Sequence, residues 1–258
     1  MKNIVAFLFL FIGVGSVQAD CAMSGMDFFP RQKEISLNPM FIVQGYSRSQ
    51  KTIESFGSRK AYLKDAEGQI TELQLVEVLK GRRGVSQALF KVSGTLLPDR
   101  RYTLHFEGET EAEAAEMQRN DPSTGKRERV YWQTGTASEQ PAPDPATKIT
   151  YVSNKWQVFG CGDAANAVFK SKAGGKNEIW YKAELVENKT GEKTVFYIPS
   201  EEGKLWVGFD MCGGPFSYAR KGTYKVRFTP TSIDGKQGPI TQWMTFKSPY
   251  ETEKAFGG

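Results

Sequence analysis

A short proline-rich stretch near the middle of the chain places the strongest constraint on its fold. Residues 137–148 read ASEQPAPDPATK, with prolines at positions 141, 143 and 145 and no large apolar side chain. Because proline fixes φ and has no N–H to donate to a sheet, this stretch prefers an extended, solvated form. We therefore interpret 137–147 as a semi-rigid linker between two β-rich domains, at 20–136 and 148–258.

The first 19 residues have the features of a secretory signal peptide. Lys2 supplies positive charge, an apolar run extends from Ile4 to Ile12, and small residues surround Ala19. This run is about half the ~20 residues that a membrane-spanning helix needs. We expect an exported chain in the periplasm, at the cell surface or outside the cell, with no transmembrane segment after residue 19.

Export makes the cysteines candidates for a disulfide. The chain has three, Cys21, Cys161 and Cys212, and the sequence alone allows three single pairings. The natural pairing is Cys161 with Cys212 if Cys21 stays free. In the chain-entropy model, closing that loop would stabilise the fold by ~4 kcal/mol. Since no Cys-x-x-Cys motif occurs, we expect a structural staple.

The sequence offers no recognisable metal or cofactor site. His105 is the only histidine, and it alternates with Leu104 and Phe106 in a strand pattern. Such a residue is more typical of packing or of a solvent-facing strand position than of metal coordination. We predict no metal and no cofactor.

The charge of the chain is uneven. Residues 148–258 carry 16 lysines and arginines against 11 acidic residues, and only Arg220 and Arg227 among them are arginines. Scattered lysines without an arginine cluster disfavour nucleic acid as a partner. They permit weak attraction to anionic polymers of the cell surface.

Alternating apolar residues and frequent turn residues predict an all-β fold. Examples are Ile70–Leu79, Glu178–Glu187 and Gly222–Phe228, separated by segments rich in glycine, proline and asparagine. One short helix is predicted at Glu109–Arg119, and its simplest interpretation is a solvated surface element.

Two motifs resemble a known superfamily. Residues 96–106, LLPDRRYTLHF, contain Leu-x-Pro-x-x-x-Tyr-x-Leu, which resembles the E–F corner of fibronectin type III and related immunoglobulin-like domains. The resemblance implies a tyrosine corner at Tyr102, and Gly222–Phe228 is similar, with Tyr224 in the same place. The closing strand Val130–Gly135 before a proline-rich joint also resembles bacterial immunoglobulin-like modules of surface-layer and adhesive proteins. The resemblance implies two tandem immunoglobulin-like β-sandwich domains.

Three functions remain open on the sequence. The leading hypothesis is a non-enzymatic binding or structural module of the bacterial envelope or exterior, whose partner is an envelope or extracellular protein. The second is binding of a surface polysaccharide by loop aromatics of the second domain, namely Phe216, Tyr218 and Trp206. The weakest is a glycoside hydrolase-like enzyme using Asp163 and Asp210, since aspartates beside glycines usually accept turn hydrogen bonds.

Overall fold

The computed structural model describes residues 24–120, 125–136, 139–172 and 177–252, and β-strands dominate it. The signal peptide prediction and Cys21 lie outside these residues. The strands of the first half are β1 Gly25–Phe29, β2 Glu34–Ile35, β3 Met40–Tyr46, β4 Ala61–Asp65, β5 Ile70–Lys80, β6 Val85–Val92, β7 Arg101–Phe106, β8 Gln118–Asn120, β9 Arg127–Arg129 and β10 Tyr131–Thr134, with helices α1 Gln50–Ser55 and α2 Glu111–Glu116. Those of the second half are β11 Lys148–Phe159, β12 Gly162–Lys172, β13 Ile179–Glu187, β14 Lys193–Pro199, β15 Lys204–Phe209, β16 Thr223–Ser232 and β17 Met244–Lys247.

The first half forms one eight-stranded sheet in the order β1-β3-β6-β5-β4-β7-β10-β2. Most of this sheet consists of two antiparallel groups of neighbours, β1-β3-β6-β5 and β4-β7-β10. The β4–β5 hairpin hydrogen-bonds the two groups into a continuous sheet, and β2 adds to β10 in parallel. Inside, Phe41 meets Trp132 edge-on at 4.7 Å between ring centroids.

The second half consists of two facing antiparallel sheets, β11-β12-β15 and β14-β13-β16-β17. Alternate residues of each strand point between the sheets, so Phe169 of β12 meets Phe228 of β16 at 5.1 Å between ring centroids. Full burial of each such ring contributes roughly 1.5–3 kcal/mol. The all-β prediction is confirmed for the described residues.

The two sandwiches pack directly against each other. Trp180, Tyr197 and Ile233 of the second half belong to the buried core of the first. The buried amide of Gln87 donates to Tyr197 O at 2.8 Å and accepts from Tyr197 N at 3.1 Å. The interface therefore holds the sandwiches in one arrangement.

The proline-rich stretch is less solvated than its composition predicts. Strand β10 ends at Thr134 and β11 begins at Lys148, and the described residues between them contain no strand. However, Pro143 is buried and Gln140 N donates to the Asp234 carboxylate. The stretch therefore lies against the second sandwich, because the packed interface brings the two halves together.

The predicted helix at Glu109–Arg119 is shorter and more deeply anchored than expected. It covers Glu111–Glu116 and begins with a capping box, in which Thr110 and Glu113 exchange side-chain and backbone hydrogen bonds. Glu113 is buried, and an ion pair with Arg59 at 2.7 Å compensates its charge. The interpretation as a solvated surface element is therefore wrong for the inner face of this helix.

Candidate functional site

The two tyrosines of the resemblance lie at equivalent corners of the sandwiches. The Tyr102 hydroxyl accepts a hydrogen bond from Leu97 N at 3.0 Å, and the Tyr224 hydroxyl accepts one from Ala219 N at 2.7 Å. Both rings are buried. Each hydroxyl thus fixes the loop that precedes its own strand, which is a structural role.

Phe216 cannot belong to a surface platform for sugars. Its side chain is fully buried in the second core, among the aromatic rings of both sheets. The loop before it folds back onto β15, where a Cβ on Gly214 would lie 2.4 Å from the Phe209 Cα. The glycine therefore permits the close approach that turns Phe216 inward.

Tyr218 is also committed to internal contacts. Its hydroxyl donates to Val207 O at 2.6 Å, and its ring meets Tyr224 edge-on at 4.9 Å. Burial, followed by the nearby Tyr224, raises the pKa of Tyr218 well above its usual value. A loop aromatic held in this way has little surface left for a ligand.

Trp206 is the one predicted aromatic on an outer face. Its neighbours Leu205 and Val207 are buried between the sheets, so strand alternation places Trp206 on the opposite side of β15, where it is half-buried. Lys155 Nζ lies 5.5 Å from the centre of its ring. Trp206 and the other two aromatics therefore do not form a common platform.

The predicted disulfide between Cys161 and Cys212 is wrong for this structure. Cys161 is a free thiol whose Sγ lies 3.2 Å from Met211 Sδ, whereas Cys212 is not a free thiol. The two loops are neighbours, as the sequence suggested. The methionine rather than Cys212 takes the position beside Cys161.

Asp163 and Asp210 have separate structural roles. Asp210 accepts from Cys212 N at 2.9 Å and from Gly213 N at 3.1 Å, which closes a turn. Asp163 pairs with Arg83 at 3.2 Å and also accepts from the Tyr250 hydroxyl. These contacts give the hydrolase hypothesis no support.

Asp163 belongs to a polar cluster at the junction of the sandwiches. Burial first, and the Asp163 carboxylate second, raise the pKa of Tyr250 to about 12, so that its hydroxyl remains a donor. Arg220 Nη2 lies 3.8 Å from the same carboxylate. The cluster ties the C-terminal turn Pro249–Glu251 to the start of β12.

Arg83 supplies the first sandwich's part of this junction. Its backbone exchanges hydrogen bonds with Gly214 at 2.8 and 3.1 Å, and its guanidinium lies 3.9 Å from the centre of the Phe209 ring. Sequence reasoning identified Gly81–Gly84 only as a turn. The two consecutive arginines between glycines were the available signal that this turn makes contacts of its own.

Within the described residues, no three histidine, cysteine, aspartate or glutamate side chains gather as they would around a metal ion. His105 stacks on Tyr62 with ring centroids 5.5 Å apart, and its Nε2 lies 3.0 Å from Thr103 Oγ1. Burial, followed by Arg129, lowers the pKa of His105. None of the described helices is long and apolar enough to cross a membrane.

An apolar surface on the second sandwich is the strongest candidate for binding. Among the strands that the structure describes, β11 lies at a sheet edge and pairs only with β12. Near the tip of this hairpin, Val158 is 50% and Phe159 39% exposed, and the neighbouring Met211 is 41% exposed. A Cβ on Gly162 would lie 3.0 Å from Met211 O, so the hairpin tip and the Met211 turn are adjacent. We call Val158, Phe159 and Met211 the apolar tip.

Comparison with known proteins gives only distant likeness. No protein family matches the chain, and neither does any curated protein. A pullulanase from an Anoxybacillus species, solved with maltotriose, is 10% identical over 86% of this chain and 25% of its own, with a TM-score of 0.25. Dimeric latent PorU from Porphyromonas gingivalis is 13% identical over 88% of this chain and 20% of its own, with a TM-score of 0.30.

The N-terminal part of the bacterial surface-layer protein SbsC is 11% identical over 82% of this chain and 43% of its own, with a TM-score of 0.21. The chain spans about a quarter of the length of the pullulanase. Likeness at this level carries no argument about function, which has to come from the site itself.

Proposed function

We propose that the protein is a non-enzymatic, exported binding or structural module of the bacterial envelope or exterior, acting in adhesion or assembly. Its strand orders and its two tyrosine corners support placing it among the immunoglobulin-like and fibronectin type III-like domains. That likeness supports the architecture, whereas the apolar tip supports the function.

The apolar tip is the observation that carries the proposal. Large apolar side chains left exposed at one hairpin tip and at the turn beside it are costly in water, and covering them gains about 25 cal/mol per Å² of apolar area. The edge strand β11 ends at this tip and offers backbone groups to a partner strand. An envelope or extracellular protein could pair one of its strands with β11 or cover the apolar tip with an apolar loop.

The packing of the two sandwiches supports the same role. Arg83 joins the halves through backbone hydrogen bonds to Gly214, and Gln87 joins them through bonds from its side-chain amide to the Tyr197 backbone. A fixed arrangement lowers the entropy lost on binding, because the tip is presented in one orientation. The second sandwich thus presents the tip on a scaffold twice its own size.

Site-specific photocrosslinking in cells that express the full chain tests the proposal. The photoreactive analogue p-benzoylphenylalanine replaces Val158 in one variant and Ile70 in another, since Ile70 is 60% exposed but lies on the first sandwich. We expect a discrete crosslinked protein at position 158 and none at position 70. Equal labelling at both positions, or none at either, would show that the apolar tip is not a binding surface.

A further inference from the structure

The outer face of the β11-β12-β15 sheet carries a concentration of lysines. The residues Ala165, Ala167 and Phe169 of β12 are buried toward the other sheet, so the alternate positions of this strand face outward. The register with β11 and β15 places the following exposed side chains on that outer face: Lys148, Lys155, Lys170, Lys172 and Lys204. Together with Trp206 they form what we call the lysine face.

Four of these lysines stand opposite each other in like-charge pairs. Lys148 is the cross-strand partner of Lys172, and Lys170 is the partner of Lys204. Like charges placed directly opposite on a sheet are destabilising. A sheet that only needed to fold would gain stability from one acidic residue in either pair.

No acidic residue of the three strands compensates for these charges on the outer face. Among the residues that the structure describes, none of the five lysines makes an ion pair. The nearest carboxylates along β15 are Glu201 and Glu202 in the turn before it and Asp210 in the turn after it. Asp210 already accepts two backbone N–H groups of its own turn.

The dimensions of the lysine face fit a polymer better than a small anion. Adjacent strands lie about 4.8 Å apart and each residue advances about 3.4 Å, so the face is about 10 Å wide and roughly 20 Å long. The four paired lysines are within the ~8 Å screening length of physiological salt of a neighbouring lysine, so their potentials add. A chain of regularly spaced negative charges can contact several of them at once.

The residue types favour a sugar polymer among the polyanions. Lysine is a compact point charge without the planar fork that arginine offers to phosphate. Trp206 lies half-buried within the face and offers a flat apolar ring, which suits the C–H face of a sugar.

We propose that the lysine face binds an acidic polysaccharide, through lysine–carboxylate pairs and contact of a sugar ring with Trp206. This site uses residues other than the apolar tip. The binding of polysaccharide and the proposed assembly role can therefore be tested independently.

Binding of the full-length protein to polygalacturonate tests the proposal, with uncharged dextran as the reference polymer. The decisive variant is Lys170→Glu, because it converts the Lys170–Lys204 pair into an opposite-charge pair. The thermal midpoint should stay the same or rise, while affinity for polygalacturonate falls roughly tenfold. Trp206→Ala should weaken binding of the same probe without removing its salt dependence.

Lys189→Glu is the matched control, since this lysine is also exposed but lies in the turn between β13 and β14. It changes the net charge by the same amount as Lys170→Glu. The affinity for polygalacturonate should change less than about twofold, because only the screened, long-range effect of the charge remains. The proposal is overturned if the wild-type protein does not bind polygalacturonate, or if Lys170→Glu and Lys189→Glu lose affinity equally. It is also overturned if single-stranded DNA or anionic vesicles bind more tightly to the same face.

Discussion

Replacing Glu113 with glutamine should remove a large part of the stability of the first sandwich at neutral pH. The Glu113 side chain is 10% exposed, and its two oxygens accept from Arg59 at 2.7 and 2.8 Å and from Thr52 at 2.8 Å. Chiefly the hydrogen bond from Arg59, opposed by burial, lowers the pKa of Glu113 from 4.5 to about 2. At 1.36 kcal/mol per pKa unit, this difference corresponds to about 3 kcal/mol.

The pH dependence of this stability loss shows whether the lost charge of Glu113 causes it. Because the pKa of Glu113 is lower in the folded chain than in the unfolded chain, its contribution is complete above the unfolded pKa and disappears as pH falls from 4.5 toward about 2. Chemical denaturation of wild type and Glu113→Gln between about pH 7 and pH 2.5 should therefore show a stability gap that closes on acidification. A gap that stays constant across this range would refute the reasoning, since it would report lost packing rather than a lost charge. Glu72→Gln, at the exposed pair with Lys60, should have little effect at any pH.

Two further predictions concern the junction of the sandwiches and the cysteines. Gln87→Leu should lower the free energy of unfolding by about 2–4 kcal/mol, because it leaves a buried N–H and a buried carbonyl of β14 unpaired; a loss within experimental error in urea titration would contradict this. A non-reducing peptide map of the protein should recover Cys161 alkylated and not linked to Cys212, since Cys161 is a free thiol and Cys212 is not; a linked Cys161–Cys212 peptide would contradict this.

The sequence was sufficient for features that depend on local pattern. Strand alternation and turn residues predict the all-β fold, and the spacing from Leu96 to Leu104 marks the corner at Tyr102 because the corner needs those residues at those offsets. Composition could not reveal contacts between distant segments. Nothing near Glu113 in sequence indicates that Arg59 will neutralise it, and nothing near Tyr197 indicates Gln87.

Loops were predicted least well, because residues there have no period that says which side they face. Phe216 follows Gly-Gly-Pro, a context that is compatible with an exposed ligand-binding ring. The close approach of Gly214 to β15 instead turns it into the core. The cysteines show the same limit: proximity of the Cys161 and Cys212 loops was foreseeable, whereas the pairing depends on geometry within each loop.

The lysine face shows how one backbone irregularity can create a surface that composition conceals. Lys148 and Lys155 are seven residues apart on β11, so perfect alternation would place them on opposite faces of the sheet. The register shifts between Tyr151 and Ser153, and the extra residue, Val152, restores Lys155 to the face of Lys148. Lysines that look scattered in the sequence therefore converge because of a β-bulge. Deleting Val152 should turn Lys155 toward the core or shift the β11–β12 register, so the bulge is as necessary to the lysine face as the lysines themselves.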